Sequence, residues 1–237
     1  MAVFRPPQPS VEPTPRRVRV RLGGTVVADS TRALLLIQYG PGGFPTYFVP
    51  PEDVRPGVLI EEDTGRWSVV AGGRRAAGAA WTNEDFPELK GMVTFSWETL
   101  DWFEEDEQVY VHARPPNHRV DTLHSSRRVE VFINGDRVAH SVRPLLLFET
   151  SLPTRYYLPF ADVRTELLTA SETTSACPFK GRARYWSHPA VADVAWSYPD
   201  PIVENPKIRD LLCFYNERVD LVIDGKLEER PDSPFSE

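Results

Sequence analysis

The segment Cys177-Pro178-Phe179-Lys180-Gly181 brings a thiol and an ammonium within three residues of each other. A nearby cation lowers the pKa of a thiol and raises the fraction of thiolate, the form that acts as a nucleophile. Lysine is scarce in this chain, confined to Lys90, Lys180, Lys207 and Lys226, while arginine carries most of the positive charge. A compact ammonium does not replace a guanidinium, so Lys180 is a candidate for its shape and its tunable pKa. The plainer reading of Cys177 is a small core residue beside a turn, and it outweighs the nucleophile reading. His140 and His188 are available as bases, but no spacing ties either to Cys177.

Tyr156, Tyr157, Tyr185, Trp186, Trp196 and Tyr198 form an aromatic set in the same half of the chain. Aromatic side chains are core residues first and ligand platforms second. Asp162 and Arg164 recur as Asp53 and Arg55. The recurrence favours a structural role, a helix cap for the aspartate and a buried pair with the arginine, over an anion clamp. The candidate ligand site is therefore Tyr156, Asp162, Arg164, Cys177, Lys180, Tyr185 and Trp186, with Cys177 and Lys180 the candidates for catalysis. His112, His118 and His124 lie six apart, a spacing that fits no metal site, so no metal is expected. Gly23-Gly24-Thr25 lacks the serine and the following Asp-x-Asp of a metal-dependent nucleotidyltransferase. No phosphate-binding loop or dinucleotide fingerprint is present.

The elements that must position these residues occur twice. Residues 18–30 match residues 129–141 at a shift of 129 − 18 = 111, and residues 47–55 match 156–164 at 156 − 47 = 109. A two-residue change of register between matched blocks is what a loop-length difference produces. Alternation at Val129, Val131 and Ile133, followed by Asn134-Gly135, predicts a hairpin, and Gly23-Gly24 marks the same turn in the first copy. Leu34–Ile37 and Leu145–Phe148 read as buried strands. Short helices are expected after Asp162 and after Asn205 as caps. The expected fold is mainly β: two similar small barrel- or sandwich-like domains with one or two short helices each. The expected division is a flexible proline-rich tail over 1–15, a first repeat over 16–112, a linker over 113–126, a second repeat over 127–226 and a fraying tail over 227–237. Only the second copy has the Cys–Lys segment, so it is the expected functional copy and the first its divergent structural partner.

Composition narrows the function classes. Apolar content of 41% and charged content of 26% suit a water-soluble globular chain. A net charge of −7, with basic residues interleaved among acids, argues against nucleic acid as the main partner. No apolar run reaches the roughly 20 residues of a membrane helix, and Met1–Pro15 has no secretory apolar core, so a cytoplasmic protein with no membrane partner is expected. Cys177 and Cys213 would then be thiols.

Several blocks together resemble the domain of unknown function 427 family in its tandem bacterial form. They are Val-Ala-Asp-Ser at 27–30, Tyr-Tyr-x-Pro-x-x-Asp-Val-Arg at 156–164, Cys-Pro-x-Lys-Gly at 177–181, Tyr-Trp at 185–186 and Ala-Trp-Ser-Tyr-Pro at 195–199. Phe95–Glu107 and His118–Asp121 look like its linker region. The resemblance implies a small, mostly β domain and no established activity, although some family labels suggest a nucleotidyltransferase. His140 stands where that pattern has Asp, and the first copy lacks the cysteine–lysine segment.

Three readings follow. The first is a small-molecule-binding domain with its pocket in the second copy, its cofactor unspecified. The second is a transferase, acyl or nucleotidyl, using Cys177 or Lys180. The third is a protein-interaction module built on Trp97, Trp102 and Phe103 at the acidic end of the first copy, which requires those rings to form an exposed patch.

Overall fold

The computed structural model describes residues 8–40 and 43–236. It is mainly β, with helix confined to short 3-10 turns among the described residues. The chain divides into two compact units, one ending at Pro115 and the other beginning at Pro116.

The first unit holds β1 (Ser10–Pro13), β2 (Val18–Leu22), β3 (Thr25–Ser30), β4 (Leu34–Ile37), β5 (Thr46–Phe48), β6 (Leu59–Asp63), β7 (Arg66–Ala71), β8 (Arg74–Trp81), β9 (Thr94–Phe95), β10 (Asp101–Glu104) and β11 (Glu107–Val109). They form three sheets, in the orders β1-β4-β5, β11-β10-β2-β3 and β6-β7-β8-β9. The second unit holds β12 (Val120–His124), β13 (Val129–Ile133), β14 (Asp136–Ser141), β15 (Leu145–Glu149), β16 (Arg155–Pro159), β17 (Thr169–Cys177), β18 (Gly181–His188), β19 (Val191–Ser197), β20 (Leu211–Phe214), β21 (Asp220–Ile223) and β22 (Lys226–Leu227). Its sheets run β12-β15-β16-β20-β19-β18-β17 and β14-β13-β21-β22. Every sheet is open among the described residues, so the barrel alternative falls.

The two hairpins read from sequence form as expected. Gly23-Gly24 and Asn134-Gly135 both take positive φ at both central positions, which matches the twist of the flanking strands. In each, β-branched residues alternate inward, and Val18, Val20, Val129 and Val131 are fully or almost fully buried.

Corresponding contacts recur in the two units. Leu34 opposes Phe48 as Leu145 opposes Tyr157, and Ala28 bridges Val54 as Ala139 bridges Val163. Ser30 donates to Asp53 at 2.7 Å and Ser141 to Asp162 at 2.7 Å. Arg32 and Arg143 close the same clamps at 2.7 and 2.9 Å. Each aspartate thus fastens the end of one hairpin to the turn after the next, and each carboxyl sits below its ordinary pKa because the arginine hydrogen-bonds its ionised form.

Several expectations need correction. Residues 10–13, placed in the tail, pair with β4, while residues 1–7 lie outside the described residues. Residues 120–124, placed in the linker, form β12 on the edge of the second unit's large sheet. Ser233, placed in the fraying tail, is buried. Asp162 ends the 3-10 turn Phe160–Asp162 instead of capping a helix, and its arginine partner is Arg143, not Arg164. Asn205 precedes the 3-10 turn Pro206–Ile208 without capping it, its amide donating instead to the Phe179 carbonyl. Trp102 is 1% exposed and stacks on Trp97, which itself packs on the first core and donates to Thr46 at 2.8 Å. Arg21 lies over Phe103. These rings make no exposed patch, and the interaction reading loses its basis.

Replacing either clamp aspartate, Asp53→Ala or Asp162→Ala, should cost about 1 kcal/mol, the net worth of a hydrogen bond. Urea unfolding should return the same order of loss for both.

Candidate functional site

Side-chain alternation on the seven-stranded sheet decides which residues can meet. Directly opposed residues in neighbouring strands share a face. The pairs Tyr157–Cys213, Cys213–Trp196 and Trp196–Tyr185 therefore put these four side chains on one face. Glu149 lies two and four residues beyond Leu147 and Leu145, so it shares that face, as do Arg155 and Tyr198. Ser175 opposes Ala183 and Cys177 opposes Gly181, which brings Cys177 to the same side. The core there consists of Leu145, Leu147, Tyr157, Ala183, Trp196, Tyr198, Ile208 and Cys213, with Tyr185 and Tyr215 packed against it.

The same rule separates the expected pocket. Tyr156 and Trp186, each next to a tyrosine of the first face, point the other way and pack on the core of Val131, Leu158 and Leu212. Asp162 is engaged in its clamp, and Arg164 is exposed on Glu166 at 3.0 Å. Of the seven expected ligand residues, Cys177 and Lys180 come together at the hairpin tip and Tyr185 shares their face, where its hydroxyl meets Ser175, whereas Tyr156, Asp162, Arg164 and Trp186 stand apart from them.

The Cys–Lys segment is the tip of an extended hairpin. In the first unit the corresponding hairpin stops at Asp63 and Arg66, where Arg66 opposes Trp81. In the second unit Tyr185 opposes Trp196 in the same way, but β17 and β18 run on through four more pairs, Thr174–Arg184 to Cys177–Gly181. The tip is tied down by Lys180 N–H to the Cys177 carbonyl at 3.2 Å and Ile202 N–H to the Lys180 carbonyl at 3.2 Å. Asn205 adds a bond of 2.7 Å to the Phe179 carbonyl. Gly181 has φ of +108°, and a Cβ there would lie 3.0 Å from the Asp200 carbonyl oxygen, so only glycine fits.

From this tip Lys180 reaches the Glu149 carboxylate, which also accepts from His118 Nε2 at 3.1 Å. The side chains of Lys180 and Glu149 are only 12% and 6% exposed. The His118 ring stacks on Phe179 with centroids 4.3 Å apart. Burial alone would push the Glu149 carboxyl up. The Lys180 charge and the hydrogen bonds from His118 and Lys180 outweigh it and hold the group at about 2. Burial pulls the Lys180 ammonium down, but the Glu149 charge, the neighbouring Cys177 and the hydrogen bond to Glu149 together outweigh that and leave it above its ordinary value. The Cys177 thiol is raised by burial, against a smaller opposing effect of Lys180. Lys180 is therefore an ammonium and Cys177 a thiol at neutral pH.

A second buried pair lies on this face. Arg155 donates to both Glu217 oxygens, at 2.7 and 2.8 Å, with the two side chains 5% and 0% exposed. Tyr157 accepts from the Trp196 indole at 3.0 Å, and Tyr185 and Ser175 hydroxyls meet at 2.8 Å. Sequence reading missed Glu149, His118, Arg155 and Glu217. Alternation placed Glu149 on the face of Leu145 and Leu147, and that was the one available signal.

The family model described as Domain of unknown function (DUF427) matches residues 10–106 and again 121–225. The chain belongs to the DUF427 family. No curated protein matches it significantly. The two DUF427 matches differ at this site. In the first, the face corresponding to Leu147 and Tyr157 is mostly apolar, built around Leu36, Phe48 and Leu89 with Val11, Leu34, Phe86 and Met92. Pairing equates Thr46 with Arg155 and Phe48 with Tyr157, and chain order equates Gln38 with Glu149.

Lys180→Met should destabilise the second unit by about 3–5 kcal/mol, because the buried Glu149 charge loses its ammonium and keeps only His118, and adding Glu149→Gln should recover most of the loss. The pH dependence has a fixed sign. Glu149 titrates lower folded than unfolded, so its contribution is complete above the ordinary value of 4.5 and disappears as pH falls towards about 2. The stability difference between wild type and Glu149→Gln, followed by denaturant melts, should therefore shrink between those limits.

Proposed function

We propose that the second DUF427 unit binds a small polar organic molecule at the tip of the extended hairpin, against Lys180, Glu149, Cys177 and Tyr185. One observation carries this reading. A face that in the first unit is mostly apolar, with the uncharged Thr46 and Gln38 at the positions of Arg155 and Glu149, holds two buried ion pairs and several tyrosines in the second. Buried charges stabilise a fold poorly compared with apolar residues of similar volume. The first unit forms corresponding pairings without them, so their presence favours recognition over scaffolding.

Charge state supports binding over covalent chemistry. Lys180 is committed to Glu149 as an ammonium and Cys177 is held as a thiol, so each is in the form that does not attack an electrophile. An ammonium and tyrosine hydroxyls remain good hydrogen-bond donors, and the S–H a weak one. The transferase reading would need a base drawing the proton from Cys177 or Lys180. The carboxylate beside Lys180 stabilises the protonated form instead.

The ligand is to be sought in what copurifies. Mass spectrometry after denaturation should find a bound small molecule in wild type that is depleted in Lys180→Met/Glu149→Gln. The same species at the same occupancy in both proteins would remove this site. Independently, iodoacetamide should alkylate Cys177 at least roughly tenfold more slowly than free cysteine at neutral pH, as a half-buried thiol with a raised pKa requires. Alkylation faster than free cysteine would revive the nucleophile.

A further inference from the structure

Arg155 sits among three aromatic rings. Its guanidinium carbon is 5.5 Å from the ring centre of Trp196, 5.8 Å from that of Tyr215 and 5.4 Å from that of Phe235. Trp196 and Tyr215 belong to the sheet and the turn following it, with their rings 4.5 Å apart. Phe235 comes from the C-terminal segment. Residues 233–236 form a tight turn, in which Ser236 N–H donates to the Ser233 carbonyl at 3.1 Å and Phe235 N–H to the Ser233 hydroxyl at 3.1 Å. That turn presents two groups together: the Phe235 ring, 5.8 Å from Tyr215, and the Ser233 hydroxyl, which donates to Glu217. Phe235 is 37% exposed, although the ion pair beneath it is almost completely buried.

We propose that this C-terminal turn is a removable plug in a second ligand site, and that the site takes an aromatic ring carrying a neutral hydrogen-bond donor. The plug itself defines the chemistry. Its ring lies near a guanidinium, where cation–π attraction adds to burial. Its hydroxyl satisfies a carboxylate already paired with Arg155. A ligand carboxylate would meet Glu217 and be repelled, and a ligand cation would meet Arg155. A neutral donor on an aryl group copies both contacts. The turn contributes no strand to either sheet of the second unit, so it can open without breaking a strand pairing, and such peripheral segments are drawn from the low-stability part of a fold. Occupancy by the plug lowers the apparent affinity for an external ligand by the fraction of molecules in which it is open. The site is distinct from Lys180 and Glu149 and does not depend on the function proposed for them.

Benzyl alcohol, a ring with one hydroxyl, is the probe. It is titrated into the full chain, into a chain lacking residues 230–237 and into Phe235→Ala, with binding read from the Trp196 indole and Arg155 Nε–H signals in NMR spectra. Both variants should bind roughly tenfold more tightly than the full chain, as removal of an intramolecular competitor requires. Benzoate should bind neither. A peptide of residues 230–237 added to the shortened chain should displace benzyl alcohol. Equal affinity in all three proteins, no binding to either variant, or benzoate binding as well as the alcohol would each overturn the proposal. If the shortened chain loses its amide dispersion, Phe235→Ala alone decides.

Discussion

Side chains on a pleated sheet alternate between its faces, and in the second unit this constraint settles the chemistry. Adjacent residues along β16 and β18 serve opposite purposes. Tyr157 and Tyr185 join the polar face, while Tyr156 and Trp186 fill the apolar core behind it. A shift of one residue in either strand would exchange the two sets. The register is held by apolar residues that have only one place to go, Leu158 and Leu212 on one side and Leu145 and Leu147 on the other. The positions of Glu149, Arg155 and Cys177 are consequences of that register.

Once a face is fixed, its content is a question of solvation. The first unit closes the corresponding face with Leu36, Phe48 and Leu89, which need no partners. The second places Lys180, Glu149, Arg155 and Glu217 there, and each must be satisfied inside the protein. Satisfaction is achieved pairwise. Arg155 matches both oxygens of Glu217, the bidentate geometry suited to a guanidinium. Lys180 takes one oxygen of Glu149 and leaves the other to His118. The extended hairpin is what makes the second pair possible, since the shorter hairpin of the first unit ends four strand pairs earlier. An added length of strand and a buried charge are thus two aspects of one structural difference.

This explains what could be read from sequence and what could not. The hairpins at Gly23-Gly24 and Asn134-Gly135, the buried strands at Leu34 and Leu145 and the DUF427 membership rest on local patterns, which survive without knowledge of the tertiary structure. Cys177 and Lys180 are visible because they lie three residues apart and are chemically unusual. Residue type and membership of the second copy group Tyr156, Trp186 and Arg164 with them, whereas alternation sends Tyr156 and Trp186 to the opposite face and Arg164 lies on Glu166. Partners from distant segments carried no local signal. Glu217 lies 62 residues from Arg155, and Glu149 lies 31 from Lys180. Only strand register could bring either pair together.

The same interactions that position the reactive-looking groups also set their protonation. Glu149 locates Lys180, and by its charge it keeps Lys180 an ammonium. Burial at the hairpin tip locates Cys177, and by excluding water it keeps the proton on sulfur. A covalent mechanism would need the opposite arrangement, a cation beside an accessible thiol or an uncompensated lysine in an apolar pocket. Here the lysine's charge is already answered by a carboxylate, which weakens its effect on the thiol three residues away. Within the proposed reading, a ligand meets directed donors whose positions are fixed in advance by the sheet, and recognition is then limited by how closely its acceptors match them.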